Sequence, residues 1–198
     1  MAYKIIVVDT ETGGLDAGTK SILSLGAVIL EDDSVIDEFY TVICEDEIFA
    51  DAQALKVNGF TVGRIKEIGV SPAKAVDQFI SFLSKHNLTR RATLAGHNVG
   101  FDIGFLKRLF RLAGKEAKYD QLFSFRTIDT QAVAQLLQMA GRITVKSTSL
   151  DSLCKACGVT IRDGVVHNAA EDARATAVLF TGFLDMIRLP KAIPNAWD

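Results

Sequence analysis

The sequence contains no apolar run approaching the ~20 residues that a membrane span needs. The run Ile5–Val8 near its start is also too short for the core of a signal peptide. A soluble, cytoplasmic protein with no membrane partner is therefore expected. Cysteine is scarce: Cys44, Cys154 and Cys157 are the three present, an odd and low count that argues for reduced thiols. Cys154 and Cys157 form a C-x-x-C pair, which suits a zinc half-site or a redox motif, but no second ligand pair is evident. The pair also falls in the helical pattern Leu150, Leu153, Cys154, Cys157, where cysteine acts as a small buried apolar residue, and that reading is preferred. Excess positive charge is missing too. The net charge of −2 offers no electrostatic footprint for nucleic acid, although clustered carboxylates would hide a basic surface in such a sum. No linker, low-complexity tract or internal repeat divides the chain.

What is present is 198 residues, 48% hydrophobic and 23% charged, enough for one domain with a large core and too few for two ordinary ones. A single domain over 1–198, with a short tail from about Pro190, is expected.

Lys4–Val8 reads as a buried strand running into Asp9-Thr10-Glu11-Thr12 and a Gly13-Gly14 turn. Ser21–Leu30 and Ser34–Ile43 read as a hairpin about Glu31-Asp32-Asp33-Ser34. The pattern then turns helical. Asp51–Val57 is a short helix closed by Asn58-Gly59, and Ser71-Pro72 caps a clearer one. Ala92–Ala95 is a short strand ending at Gly96. Helices are expected from about Phe101 to Leu112, over Ile128–Met139, over Ser149–Cys157, and from Asn168 to about Ile187, the last opened by a capping-box pattern with Glu171 as the cap partner. Strands first, then helices with one strand among them, imply an α/β or α+β domain: a mixed sheet with helices packed on it.

Three fragments carry chemistry. Asp9 and Glu11 are two residues apart at a strand end, so strand periodicity puts both carboxylates on one face. Such a pair is costly at a core edge unless a cation sits between, and hard divalent ions favour carboxylate oxygens; the alternative is a pair of strand-end groups facing water. Asp102 follows a strand at the start of a helix, where the helix dipole alone would favour an acid. His167 precedes the last helix and Asp172 lies in its first turns; a histidine there suits a general base, or is simply a loop residue beside a solvated acid.

Together these fragments resemble the DnaQ-like 3′→5′ exonuclease family with the Asp-Glu-Asp-Asp-His signature, in the ribonuclease-H-like superfamily. The motifs are Asp9-Thr10-Glu11-Thr12-Gly13-Gly14-Leu15, then His97-Asn98-x-x-Phe101-Asp102, then His167-x-x-x-x-Asp172. Ala54–Gly59 and Ile128-Asp129-Thr130 also look like family segments, and the resemblance runs from about Tyr3 to Leu189. It implies a ribonuclease-H-like α/β fold with a mixed five-stranded sheet flanked by helices. It implies two Mg²⁺ or Mn²⁺ ions held by Asp9, Glu11, Asp102 and Asp172. Asp9 would bridge them, Glu11 and Asp172 would hold the one carrying the attacking water, and Asp102 would support the other. His167 would take the water's proton, releasing nucleoside 5′-monophosphates from the 3′ end of single-stranded DNA or RNA. The histidine spacing marks this version of the family rather than its tyrosine sister.

Two positions depart from the family pattern. Gly13 stands where many members have a second threonine, which would give the turn more freedom and remove a side chain near the terminal nucleotide. Asn58 stands where several carry histidine, at a place that often touches the terminal base. Substrate contacts are expected from Thr12, Leu15 and Asn98, with Leu15 as an apolar wedge or else a buried turn residue, and Phe60 and Phe101 as stacking surfaces or else core. Lys107, Arg108, Arg111, Lys115 and Lys118 form a basic run, either a phosphate track or a solvated helix face. Two other roles stay open, an end-binding module without catalysis and a proofreading subunit of a DNA polymerase. The short stretch beyond the last helix favours a solitary nuclease, and family relatives include monomers and homodimers.

Overall fold

The computed structural model describes residues 3–160 and 167–188. β1 (Lys4–Thr12), β2 (Ile22–Glu31) and β3 (Ser34–Val42) form an antiparallel meander. The β2–β3 connection is tight because Asp32 and Asp33 both take left-handed backbone angles, φ 46° and 68°, as a two-residue hairpin turn requires. The chain then forms α1 (Ala52–Val57), α2 (Val62–Ile68) and α3 (Pro72–Lys85) before β4 (Ala92–Gly96) inserts beside β1. Next come α4 (Val99–Leu112), α5 (Glu116–Leu122), β5 (Phe123–Asp129), α6 (Thr130–Met139), α7 (Leu150–Cys157) and α8 (Ala169–Arg188). The five strands lie in the order β3-β2-β1-β4-β5, with β1, β4 and β5 mutually parallel.

Each face of the sheet is covered. On one, Ile6, Val8, Leu25 and Leu94 pack against Phe79 of α3 and Phe105, Leu106 and Leu109 of α4. On the other, Ile5, Val7, Val28 and Ala95 meet Ala173, Ala177 and Phe180 of α8. α6 and α7 build a third apolar cluster against the far side of α8, and Cys154 is buried within it. The three cysteines are free. No helix among the described residues is long and apolar enough to cross a membrane.

Four elements depart from the periodicity reading. β5 occupies Phe123–Asp129, so the helix expected from Ile128 begins at Thr130 instead. This strand is an edge with Phe125, Arg126 and Thr127 exposed, so it shows no apolar alternation. α2 buries Ile65 alone, and α5 buries only Tyr119 and Leu122. Stripes that thin give little helical signal. α4 begins two residues before the expected Phe101 because Asn98, left-handed at φ 59°, already turns the chain. The expected tail from Pro190 lies outside the described residues.

Candidate active site

The alternation of β1 decides where its acids point. Ile5 and Val7 face α8, and Ile6 and Val8 face α4. Continuing at period two, Asp9 and Glu11 fall on the α8 side and Thr10 on the α4 side. Thr10 donates its hydroxyl proton to Asp102 Oδ1 at 2.8 Å, tying the first turn of α4 to β1.

On the other face α8 lies close to the sheet. Its inward positions Ala169, Ala173 and Ala177 are fully buried, and their small side chains permit near contact. Gly26 pairs with Asp9 across the β1–β2 ladder, on the same face. A Cβ there would stand 2.2 Å from both the carbonyl carbon and oxygen of Ala169. The hydrogen atom of Gly26 thus lets the first turn of α8 settle beside Asp9, carrying Asp172 to the site. Asn168 caps this turn, its Oδ1 accepting from the N–H groups of Ala170 and Glu171.

Asp9, Glu11 and Asp172 converge, each offering one carboxylate oxygen within 4.8 Å of the others. Glu11 and Asp172 are buried and Asp9 partly so. Burial pushes Asp9 well above the usual carboxylate range, and Asp102, Asp172 and Glu11 push it further. Glu11 is raised to about 7, by burial first and Asp172 second, with His167 pulling the other way. Asp102, 3% exposed, is raised to about 7 by burial despite the Thr10 hydrogen bond. It stands outside the three-carboxylate group, on the α4 side. His167 reaches Asp172 Oδ2 through Nδ1 at 3.0 Å, and that hydrogen bond raises it to about 9. The backbone N–H of His167 donates to the carbonyl of Val57, fastening this loop to the end of α1.

Crowded, buried carboxylates fit a hard divalent cation, because positive charge between them converts mutual repulsion into coordination. Asp9, Glu11 and Asp172 could share one ion, with Asp102 placed to support a second beyond Asp9.

The expected substrate residues sort differently. Leu15 is 88% exposed at the tip of its turn, which removes the buried-turn alternative. Thr12 is buried and its hydroxyl donates to the Gly14 carbonyl, so it braces the turn. Asn98 caps α4, and its N–H donates to Asp129 Oδ1. Phe60 packs against the Leu23–Val42–Ile65 cluster, and Phe101 lies tilted at 50° against Phe105 with ring centres 5.0 Å apart; each is only partly exposed. Asn58 is buried and donates to the Thr12 carbonyl, a support for the motif strand. Gly13 is explained by close approach rather than freedom: a Cβ would meet the Phe49 carbonyl oxygen at 2.3 Å, where the 49–51 segment crosses the turn.

His97 and Asp129 stand inside the quoted motif segments without an assigned role, and Gly26 stands outside them. Asp129 Oδ1 accepts from both Asn98 and Gln131, joining the ends of β4 and β5. His97, kept toward its neutral form by burial, links Thr130 Oγ1 at 3.0 Å and the Thr148 carbonyl at 2.9 Å. Gly26 carried a legible signal, since a glycine inside a strand marks a close approach. The basic run is broken up: Arg108 pairs with Glu45, Lys115 with Asp77, and Lys118 hydrogen-bonds Gln121.

A family model described as exonuclease matches residues 6–180. The chain is 29% identical over 184 residues to a PolC-type DNA polymerase III of Thermotoga petrophila, covering 92% of this chain and 12% of the polymerase. Escherichia coli Exonuclease I in complex with a dT13 oligonucleotide superposes with a TM-score of 0.76 at 19% identity, over 90% of this chain and 40% of that one. The zinc-bound E. coli ExoI–ssDNA complex gives 0.73 at 20% identity, over 95% and 41%. This chain thus spans about an eighth of the polymerase and two fifths of the exonuclease structures, and the likeness to the latter is one of fold.

Proposed function

The chain belongs to the exonuclease family, and on that premise we propose that it is a metal-dependent 3′→5′ exonuclease releasing nucleoside 5′-monophosphates from single-stranded DNA or RNA. The observation that carries this reading is the convergence of Asp9, Glu11 and Asp172 within 4.8 Å, with His167 bonded to the third. Asp9, Glu11 and Asp172 would hold one Mg²⁺ or Mn²⁺ ion, and Asp102 with Asp9 a second. Bound there, such ions supply Lewis acidity for phosphodiester hydrolysis.

The chain's own residues do the rest. His167 uses Nδ1 on Asp172 and keeps Nε2 for the proton of the attacking water. Its ring is half-exposed. A pKa of about 9 would leave it protonated at neutral pH, but that elevation rests mainly on the bond to Asp172. A cation held by Asp172 would weaken that bond's pull on the proton and favour the base form of His167. Leu15, the exposed apolar side chain on the motif turn, would pack on the terminal base. Thr12 and Asn98 act by holding the backbone that shapes the pocket, and Phe60 and Phe101 would offer ring edges. A proofreading role beside a polymerase is a second reading, favoured by the likeness to a PolC-type polymerase; co-elution with a polymerase would support it.

A time course with 3′- and 5′-labelled single-stranded DNA and RNA, in Mg²⁺, Mn²⁺ or chelator, tests the proposal. The expected result is stepwise shortening from the 3′ end, abolished by chelator, with the faster substrate identifying the preferred sugar. Cleavage that survives chelation, or shortening from the 5′ end, would sink it.

A further inference from the structure

β5 is the outer strand of the sheet, beside α4, and the two enclose a groove of about 340 Å³. Arg91, Ile103, Lys107, Asp120, Phe125 and Thr127 line it. Ile103 and Lys107 belong to α4, the helix whose first turn carries Asp102, and none of the site carboxylates lines the groove. Phe125 lies four residues before Asp129, roughly 13 Å along the strand from that end. Two features bear on what it could hold. Phe125 is 81% exposed, and the Arg126 guanidinium lies 5.1 Å from its ring centre. Arg91 and Lys107 in the lining and Arg126 beside it have no carboxylate partner among the described residues, a condition they share with other surface cations, but here three of them gather around one exposed ring. Asp120 is the one acid in the lining. In a chain of net charge −2, a channel bordered by three cations without carboxylate partners and an exposed aromatic ring is complementary to a polyanion that carries flat bases. Charge on an edge strand also discourages pairing with another copy, which accounts for Arg126 but not for the exposed ring beside it.

Building on the exonuclease reading, we infer that this groove holds single-stranded nucleic acid upstream of the nucleotide being removed. Phe125 stacks on a base, and Arg91, Lys107 and Arg126 meet phosphates. The site adds affinity for long strands and none for very short ones.

Fluorescence anisotropy in chelator, with a long single strand and a trinucleotide, measures this without hydrolysis. The Phe125→Ala/Arg126→Ala variant should bind the long strand about tenfold more weakly and the trinucleotide as before. Arg91→Gly keeps the fold sound, because Arg91 has φ 48°, where glycine is favoured. That variant and Lys107→Ala should each flatten the log–log salt dependence by about 0.7. Unchanged long-strand affinity, equal loss at both lengths, or no strand binding by the parent protein would overturn the inference. So would a Phe125→Ala variant that changed oligomeric mass and not strand affinity, since the edge would then pair with a second copy. Metal-dependent hydrolysis of the trinucleotide is scored separately: its absence in the parent strikes the exonuclease reading and leaves the binding result standing.

Discussion

Two glutamates in this molecule are almost equally hidden, Glu11 at 8% exposure and Glu45 at 6%, and they live in opposite surroundings. Glu45 is satisfied. Its Oε2 accepts from Arg108 Nη2 at 2.7 Å, and its Oε1 accepts from Arg108 Nε and from the N–H of Ile22. Glu11 faces Asp172 and, further off, Asp102, and is raised to about 7. The first arrangement locks β2, α4 and the segment after β3 together. The second stores repulsion that protonation or an added cation relieves. Burial alone therefore does not distinguish structure from function; what distinguishes them is whether the protein itself supplies the counter-charge.

The comparison can be broken most severely at Asp9. Asp9→Asn should lower nuclease activity by roughly 10³-fold or more, while the metal-free protein at neutral pH becomes no less stable, because a repulsive charge has gone. A variant that still cuts would dismiss the carboxylate assignment. At the satisfied end, Glu45→Leu leaves Arg108 buried and alone and should cost about 3–5 kcal/mol in denaturant unfolding. Adding Arg108→Met should restore much of that loss, and a double-mutant cycle showing no coupling would refute the pairing's structural role. Gly26→Ala removes no charge at all. It forces the first turn of α8 away from β2, and a displacement near 1 Å should cost roughly 10²-fold in kcat and weaken Mn²⁺ binding followed by paramagnetic resonance. Wild-type values for both would show that α8 has freedom the packing denies.

The smallest effect is on stability. Glu11 and Asp102 have folded pKa values near 7, above their ordinary 4.5 and 3.8, so the folded state binds more protons than the unfolded one in that interval. Metal-free stability should accordingly fall as pH rises from about 4 to about 7. Saturating Mg²⁺ or Mn²⁺ at pH 8 should return roughly 2.7 kcal/mol at a hundredfold excess over Kd, or roughly 5–10 °C in Tm. A melting temperature that rises with pH in chelator would contradict the buried-cluster picture.

The five residues proposed for the site were legible as candidates because each stands at a position where local pattern and side-chain chemistry agree. Asp9 and Glu11 extend a strand's alternation, Asp102 and Asp172 lie in the first turns of helices, and His167 sits just before one. The supporting residues were not legible in this way. Thr10, Asp129 and His97 stand inside motif segments, but the contacts that give them roles span 92, 31 and 33 residues of chain and no short window shows them. β5 escaped notice because an edge strand with exposed Phe125, Arg126 and Thr127 has no buried face to impose a period.

By itself the sequence determined the meander, the capped helices and the identity of the acids, since these follow from side-chain period, turn chemistry and motif within short windows. Tertiary structure alone decided that Asp172 reaches Asp9 and Glu11, because that depends on Gly26 admitting the backbone of Ala169. It also decided that Arg108 is tied to Glu45 while Lys107, Arg91 and Arg126 carry no carboxylate partner among the described residues. Which charges meet is a property of how distant segments pack, and no local pattern encodes it.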